Sequence, residues 1–302
     1  MKTTPQRHHF FLLDYLELMK PELTGLSVLT TLCGFYLGAT GEFKLPLFLL
    51  TALGTLFVGG GAGALNQYIE RNYDALMKRT ERRPLPTGRL QPVEVLLFGT
   101  TISIAGMFLL IFFANPLTGF LAFITFTTYL FLYTPLKRVS PISTLIGGIP
   151  GALPPMMGWT AVRNEITIEA WILFAILFCW QMPHFFSLAW MYKKDYARAG
   201  FKILSVLDTT GQKTSRQILI YTIALLPLSI ASSIIGLTGI TTVIGAVVLG
   251  MGLLFLSILL TTFSHTAGHE TFSKMNYYSR KVFYASLVYL PALMLLLTLD
   301  KI

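Results

Sequence analysis

The chain has 302 residues, 54% hydrophobic and only 12% charged, with a mean hydropathy of +0.64. A soluble domain carries roughly a quarter of its residues as charged groups to wet its surface, so composition excludes a soluble core with a single anchor. The two cysteines, Cys33 and Cys179, both lie inside apolar runs, which suits packing better than a disulfide or metal framework.

Residues 1–22 hold Lys2, Arg7, Asp14, Glu17, Lys20 and Glu22 and no cleavable apolar core, so neither a secretory signal nor an import leader is expected. A bilayer core of about 30 Å takes about 20 mostly apolar residues per helix. Nine segments qualify, at approximately 23–40, 46–69, 92–113, 116–134, 141–161, 168–188, 215–237, 239–263 and 281–299. Pro21, Pro46, Pro92, Pro116 and Pro141 stand at or near their starts, where a missing N–H costs least. The expected fold is therefore an all-α integral membrane bundle of nine transmembrane helices, one polytopic domain over 1–302 with 1–22 as a cytoplasmic tail.

Charge orients the bundle, because basic residues collect on the cytoplasmic side. With the N-terminus inside, that side receives twenty of the 23 basic residues, leaving only Lys44, Arg163 and Lys301 outside. Topology alone accounts for such sorting. It does not ask for carboxylates at helical spacing, and two of the inside loops carry them.

The second span ends in Gly59-Gly60-Gly61 and Gly63, residues that let helices approach closely or shape a cavity. Asn66, Glu70 and Asp74 follow at i, i+4 and i+8, on one face of a continuous helix. Magnesium prefers oxygen ligands and is usually held by one or two carboxylates plus substrate phosphates. Lys78, Arg79, Arg82 and Arg83 come next, cations suited to phosphate oxygens. Acid for metal beside base for phosphate is what a diphosphate site requires; the plain alternative is a solvated helix end with salt bridges. Arg83-Pro84-Leu85-Pro86 is expected to stop the helix.

The sixth span ends with a second polar segment, in which Tyr192 and Asp195 lie one turn apart and Lys202 follows Gly200. His184, near the end of that span, is either an iron ligand through a ring nitrogen or a hydrogen-bonded bundle residue. His265 and His269 are expected in a solvated loop, and His8 and His9 carry no assignment.

The row Asn66-x-x-x-Glu70-x-x-x-Asp74, running into Lys78-Arg79-Thr80, together with the second segment, resembles the paired motifs of the UbiA-type intramembrane prenyltransferases. The nine-span layout extends that resemblance over nearly the whole chain. Trp180-Gln181-Met182-Pro183-His184-Phe185, Asp195-Tyr196-Ala197-Arg198-Ala199-Gly200, Tyr133-Thr134-Pro135-Leu136-Lys137-Arg138 and Lys20-Pro21 are most similar to the haem-farnesylating subgroup, the haem O synthases. Glu70 stands where the family usually has Asp. Tyr192 replaces the first Asp of the second motif of the quinone-precursor enzymes, which counts against an aromatic-acid acceptor.

The resemblance implies a magnesium-dependent transfer of farnesyl from farnesyl diphosphate to the vinyl group of protohaem IX (haem B), with water added. It implies Asn66, Glu70, Asp74 and Asp195 as catalytic residues and Mg2+ ligands. Lys78, Arg79, Arg83, Lys137 and Lys202 then bind the diphosphate, and His184 and Tyr192 contact haem. The implied setting is a bacterial inner membrane. The implied partners are the lipid bilayer and a haem A synthase or terminal-oxidase assembly, with no nucleic acid. A quinone-precursor prenyltransferase is the nearest alternative. A transporter fits less well, because transporters place ionisable residues near mid-membrane, whereas here Asp and Glu avoid the apolar runs.

Overall fold

A computed structural model describes residues 11–264 and 270–302. His8, His9, His265 and His269 lie outside those residues. The described residues are helical, in the order α1 (Phe11–Leu18), α2 (Pro21–Gly38), α3 (Leu45–Asp74), α4 (Pro92–Leu109), α5 (Pro116–Thr127), α6 (Thr134–Leu136), α7 (Ser143–Arg163), α8 (Ile168–Met191), α9 (Lys193–Arg198), α10 (Leu204–Leu207), α11 (Gln212–Ile234), α12 (Ile240–Ser264) and α13 (Glu270–Leu299). Helix α4 runs on into a π-helical turn at Leu110–Ala114, and α5 reaches α6 through another at Thr128–Tyr133.

Among the described residues a helix occupies each of the nine expected segments, and seven are long and apolar enough to cross a membrane. The two that fall short are α2 and α7. Helix α7 contains Pro150, Pro154 and Pro155 and buries most of its length, including Gly147, Gly148, Met156, Met157 and Trp159. A helix shielded by its neighbours does not need the apolar surface that a lipid-facing one needs. Lipid-facing positions are conspicuous elsewhere: Leu97, Phe112, Ile244, Val248 and Phe255 are all exposed.

Prolines open the helices as expected, with Pro21, Pro92 and Pro116 at the first helical position and Pro46 in the first turn of α3. Helix α3 packs on α4, α2 on α7, and α8 between α7, α11 and α13. Small residues permit these approaches. A Cβ on Gly61 would lie 2.0 Å from Ser103 Oγ on α4, and one on Gly158 only 1.8 Å from the Thr31 carbonyl on α2.

Three expectations are corrected. Helix α3 ends at Asp74, before the Arg-Pro-Leu-Pro stretch; its end is held by the Thr80 hydroxyl, which donates to the Asp74 carbonyl at 2.9 Å. The last helix begins at Glu270, not near 281, so Lys274, Arg280 and Lys281 ride on a helix rather than in a loop. Its sequence there has no Pro or Gly to break it. Within the segment expected as a tail, residues 11–22 pack on the bundle: α1 lies on α3, Arg89 pairs with Asp14 and Glu17, and α2 begins at Pro21.

Candidate active site

Helix α3 stays regular through Asp74, so Asn66, Glu70 and Asp74 share one face, and all are buried, at 1%, 6% and 1% exposure. Each carries one cation from a different part of the chain. Lys20 Nζ donates to Asn66 Oδ1 at 2.5 Å and to the Tyr129 hydroxyl at 3.2 Å. Lys137 Nζ lies 2.6 Å from Glu70 Oε1, and Arg83 Nη1 donates to Asp74 Oδ2 at 2.7 Å. Asn66 Nδ2 also donates to Thr134 Oγ1 at 3.0 Å, tying the row to α6.

Local structure explains how the cations arrive. Successive turns after Asp74 bury Pro84 and Leu85 and fold Arg83 back onto α3. The π-helical turn before α6 directs Tyr129 and Tyr133 inward, with Lys137 Nζ 4.6 Å from the Tyr133 ring centre. Lys20 has φ of 51°, a left-handed conformation that costs a non-glycine residue energy and is held by the surrounding contacts.

Burial works against the charge on Lys137, but Glu70, aided by Tyr133 and Tyr129, outweighs it and raises the ammonium above its ordinary range. Lys20 goes the other way. Burial, then repulsion from Arg83, lowers it to about 7, although Glu70 and Asp74 pull upward. The acid row is thus already committed to two strong cations, Lys137 and Arg83, and has a third, Lys20, whose charge is conditional.

The second polar segment lies against the first. Arg79 stands over the rings of Tyr192 and Tyr196 at 5.4 and 5.9 Å, and Arg198 donates to the Leu76 carbonyl at 3.4 Å. Met77, Ala199, Phe201 and Ile203 form a small buried cluster between the two. The Lys202 backbone N–H donates to the Lys137 carbonyl at 2.8 Å, joining the turn after α6 to the same end. Asp195 pairs with Arg198 at 3.4 Å. The side chains of Lys78 and Lys202 are exposed and have no partner among the described residues.

No three His, Cys, Asp or Glu side chains among the described residues are gathered closely enough to hold a metal alone. The donor set nevertheless fits a magnesium–diphosphate unit, in which phosphate oxygens and water complete the shell. Asp74 Oδ1 is buried with no hydrogen-bond partner, a cost that a cation would remove.

Below the row lies a mostly apolar cavity of about 230 Å³, whose wall includes Lys20, Thr24, Tyr129, Trp180, Gln181 and His184. Tyr192 is not part of that wall; it sits under Arg79, about two turns further along α8. Lys20, Tyr129 and Thr134 have no site role in the sequence reading, although Lys20 and Thr134 fall in stretches that carry the resemblance. Lys20-Pro21 was a visible signal, but only as a likeness, because the Asn66 contact joins residues far apart in the chain.

Carboxylates and cations at one end of a helical membrane bundle, above an apolar cavity, define an enzyme for substrates with an anionic head and a long apolar tail. The chain belongs to the UbiA prenyltransferase family, whose family model matches residues 27–297. It is 41% identical over 297 residues to the protoheme IX farnesyltransferase of Solibacter usitatus, covering 95% of this chain and 98% of that one. The protoheme IX farnesyltransferase of Koribacter versatilis is 42% identical over 292 residues, with 95% and 93% covered. In fold the chain is similar to a digeranylgeranylglyceryl phosphate synthase, with a TM-score of 0.78 at 18% identity and 96% and 98% coverage. A UbiA homolog from Archaeoglobus fulgidus bound to DMAPP and Mg2+ superposes with a TM-score of 0.66 at 14% identity, covering 92% and 99%.

Proposed function

We propose that the protein transfers farnesyl from farnesyl diphosphate to a vinyl group of haem B, with addition of water, releasing diphosphate and giving haem O. The observation that carries this reading is the buried row Asn66, Glu70 and Asp74, each member holding one basic side chain, at the head of an apolar cavity that reaches His184. Relatives about 40% identical over nearly the whole chain bear the name of that activity.

Asn66, Glu70, Asp74 and Asp195 are the residues that would hold Mg2+, which would neutralise charge on the diphosphate. Arg83, Lys137 and Lys20 turn from the acid row to phosphate oxygens, and Arg79, Lys78 and Lys202 close from the rim. Donors aimed at charge that develops on a leaving group are usually the largest catalytic contribution. The allylic C–O bond breaks, its electron pair leaving with the diphosphate. The vinyl carbon of the acceptor forms the new C–C bond, and water captures the resulting cation and gives up a proton. Cavity walls of aliphatic and aromatic side chains keep stray water from the first cation. His184 faces the haem within the cavity, and Tyr192 meets its edge at the mouth.

All nine helices span the membrane in this reading, the active end is cytoplasmic, and the N-terminus lies inside. The chain 1–302 works as one polytopic domain, with 1–22 on its cytoplasmic side. The setting is a bacterial inner membrane, where a haem A synthase or terminal-oxidase assembly takes up the product.

The test is to incubate purified protein with farnesyl diphosphate, Mg2+ and haem B and examine the haem by mass spectrometry. A magnesium-dependent gain of one farnesyl and one water is expected. Unchanged haem, from folded protein that still binds the diphosphate, overturns the acceptor and points to a quinone precursor.

A further inference from the structure

Helices α8 and α13 pack together, and one linked set of polar groups joins them beside the cavity. The Ser286 hydroxyl donates to the Phe283 carbonyl at 2.6 Å. His184 Nδ1 lies 3.0 Å from the same oxygen. With its hydrogen directed to that carbonyl, the oxygen is placed to accept, an arrangement that favours the tautomer with the proton on Nδ1 and a lone pair on Nε2. The Trp180 indole N–H donates to the Ser286 carbonyl at 2.7 Å, fixing the backbone of the same residue.

The ring is also fixed in orientation. Trp180 stacks on it with centres 5.3 Å apart and planes 24° apart, and Phe283 lies on it at 4.7 Å. His184 belongs to the cavity wall, and Nε2 has no hydrogen-bond partner among the described residues. A histidine serving only as a bundle cross-link has no need of a defined tautomer with its second nitrogen turned to a cavity. A metal-binding histidine does: such residues almost always donate their other N–H to an oxygen that fixes the ring and raises its basicity.

We infer that Ser286 is a positioning residue that holds His184 with Nε2 toward the cavity, where it ligates the iron of the acceptor haem. This deepens the proposed function and rests on its haem acceptor. Ligation at one fixed point sets the plane and centre of the macrocycle, so the reacting vinyl is presented by rotation about the iron–nitrogen bond rather than by free diffusion within the cavity.

The test uses the full chain in detergent, loaded with ferrous haem B and no prenyl donor, and reads the iron–histidine stretching band by resonance Raman alongside haem affinity. The wild-type protein is expected to show that band. Ser286→Ala should keep the haem but shift the band to lower frequency and weaken affinity by about 10- to 100-fold; Ser286→Thr, which keeps the hydroxyl, should restore both. His184→Gly should lose the band and regain one with added imidazole. An unshifted band in Ser286→Ala overturns the positioning role. A wild-type band retained in His184→Gly overturns the ligand while leaving the haem acceptor standing. Wild-type protein that binds no haem and farnesylates none overturns both.

Discussion

Replacing Arg83 with glutamine separates two roles that the guanidinium holds in turn. Without substrate it donates to Asp74 Oδ2 at 2.7 Å, on a carboxylate only 1% exposed. A divalent cation arriving alone must therefore displace it, losing a charge-assisted hydrogen bond worth about 1.5–3 kcal/mol. At about 1.4 kcal/mol per tenfold, that is roughly a 10- to 100-fold weakening of metal binding. When diphosphate arrives with the metal, the guanidinium has a phosphate oxygen to turn to, and the loss is returned. Arg83→Gln should thus bind Mn2+ alone about 10- to 100-fold more tightly than wild type, yet lose the gain in Mn2+ affinity that pyrophosphate gives the wild-type protein. The free Mn2+ signal in electron paramagnetic resonance, titrated with and without pyrophosphate, measures both quantities. If the substitution weakens Mn2+ binding to the same degree in both titrations, Arg83 merely supports Asp74 and the exchange argument fails.

Three further predictions follow from the same geometry. Asp74→Asn should cut product formation by more than about 100-fold in protein that still folds, with a lowered unfolding midpoint because the buried pair with Arg83 is lost along with the ligand charge; an active variant removes Asp74 from the site. Gly158→Ala drives a methyl into the Thr31 carbonyl at 1.8 Å and should destabilise the folded protein by about 1–3 kcal/mol, read as a lower midpoint of thermal unfolding in detergent. Lys20, lowered to about 7 from its ordinary 10.5, is neutral in the folded enzyme between those values while the unfolded chain keeps its proton. Its contribution to stability therefore improves as pH rises through that window, and a bound diphosphate reverses the shift, so binding at about pH 8 should take up protons. Calorimetry in two buffers of different ionisation enthalpy should show that uptake in wild type and less of it in Lys20→Met; equal values would refute it.

The sequence carried the parts of this architecture that are local. Asn66, Glu70 and Asp74 lie at helical spacing within one uninterrupted helix, so their shared face follows from geometry alone. The proline starts are equally local. Contacts between distant segments were not legible: Lys20 meets Asn66 across 46 positions, and Ser286 meets His184 across 102, with no periodicity to announce either. Span recognition by apolarity fails for α7 for the same reason, since what faces its side chains is protein, not lipid. The π-helical turn at Thr128–Tyr133 left no mark in the residue pattern, yet it sets where Tyr129 and Tyr133 point.

The cavity beneath the acid row has a consequence for how rates are expressed. A prenyl donor for an apolar pocket in a lipid-facing bundle partitions into the membrane, since each methylene favours the bilayer by about 0.8 kcal/mol. The relevant variable is then the number of donor molecules per unit of membrane area. Adding inert lipid or detergent at constant volume and constant total donor dilutes the substrate within the membrane phase. For a donor supplied from the membrane, the Michaelis constant is a mole fraction, and values given in molar units from different micelle loads are not comparable.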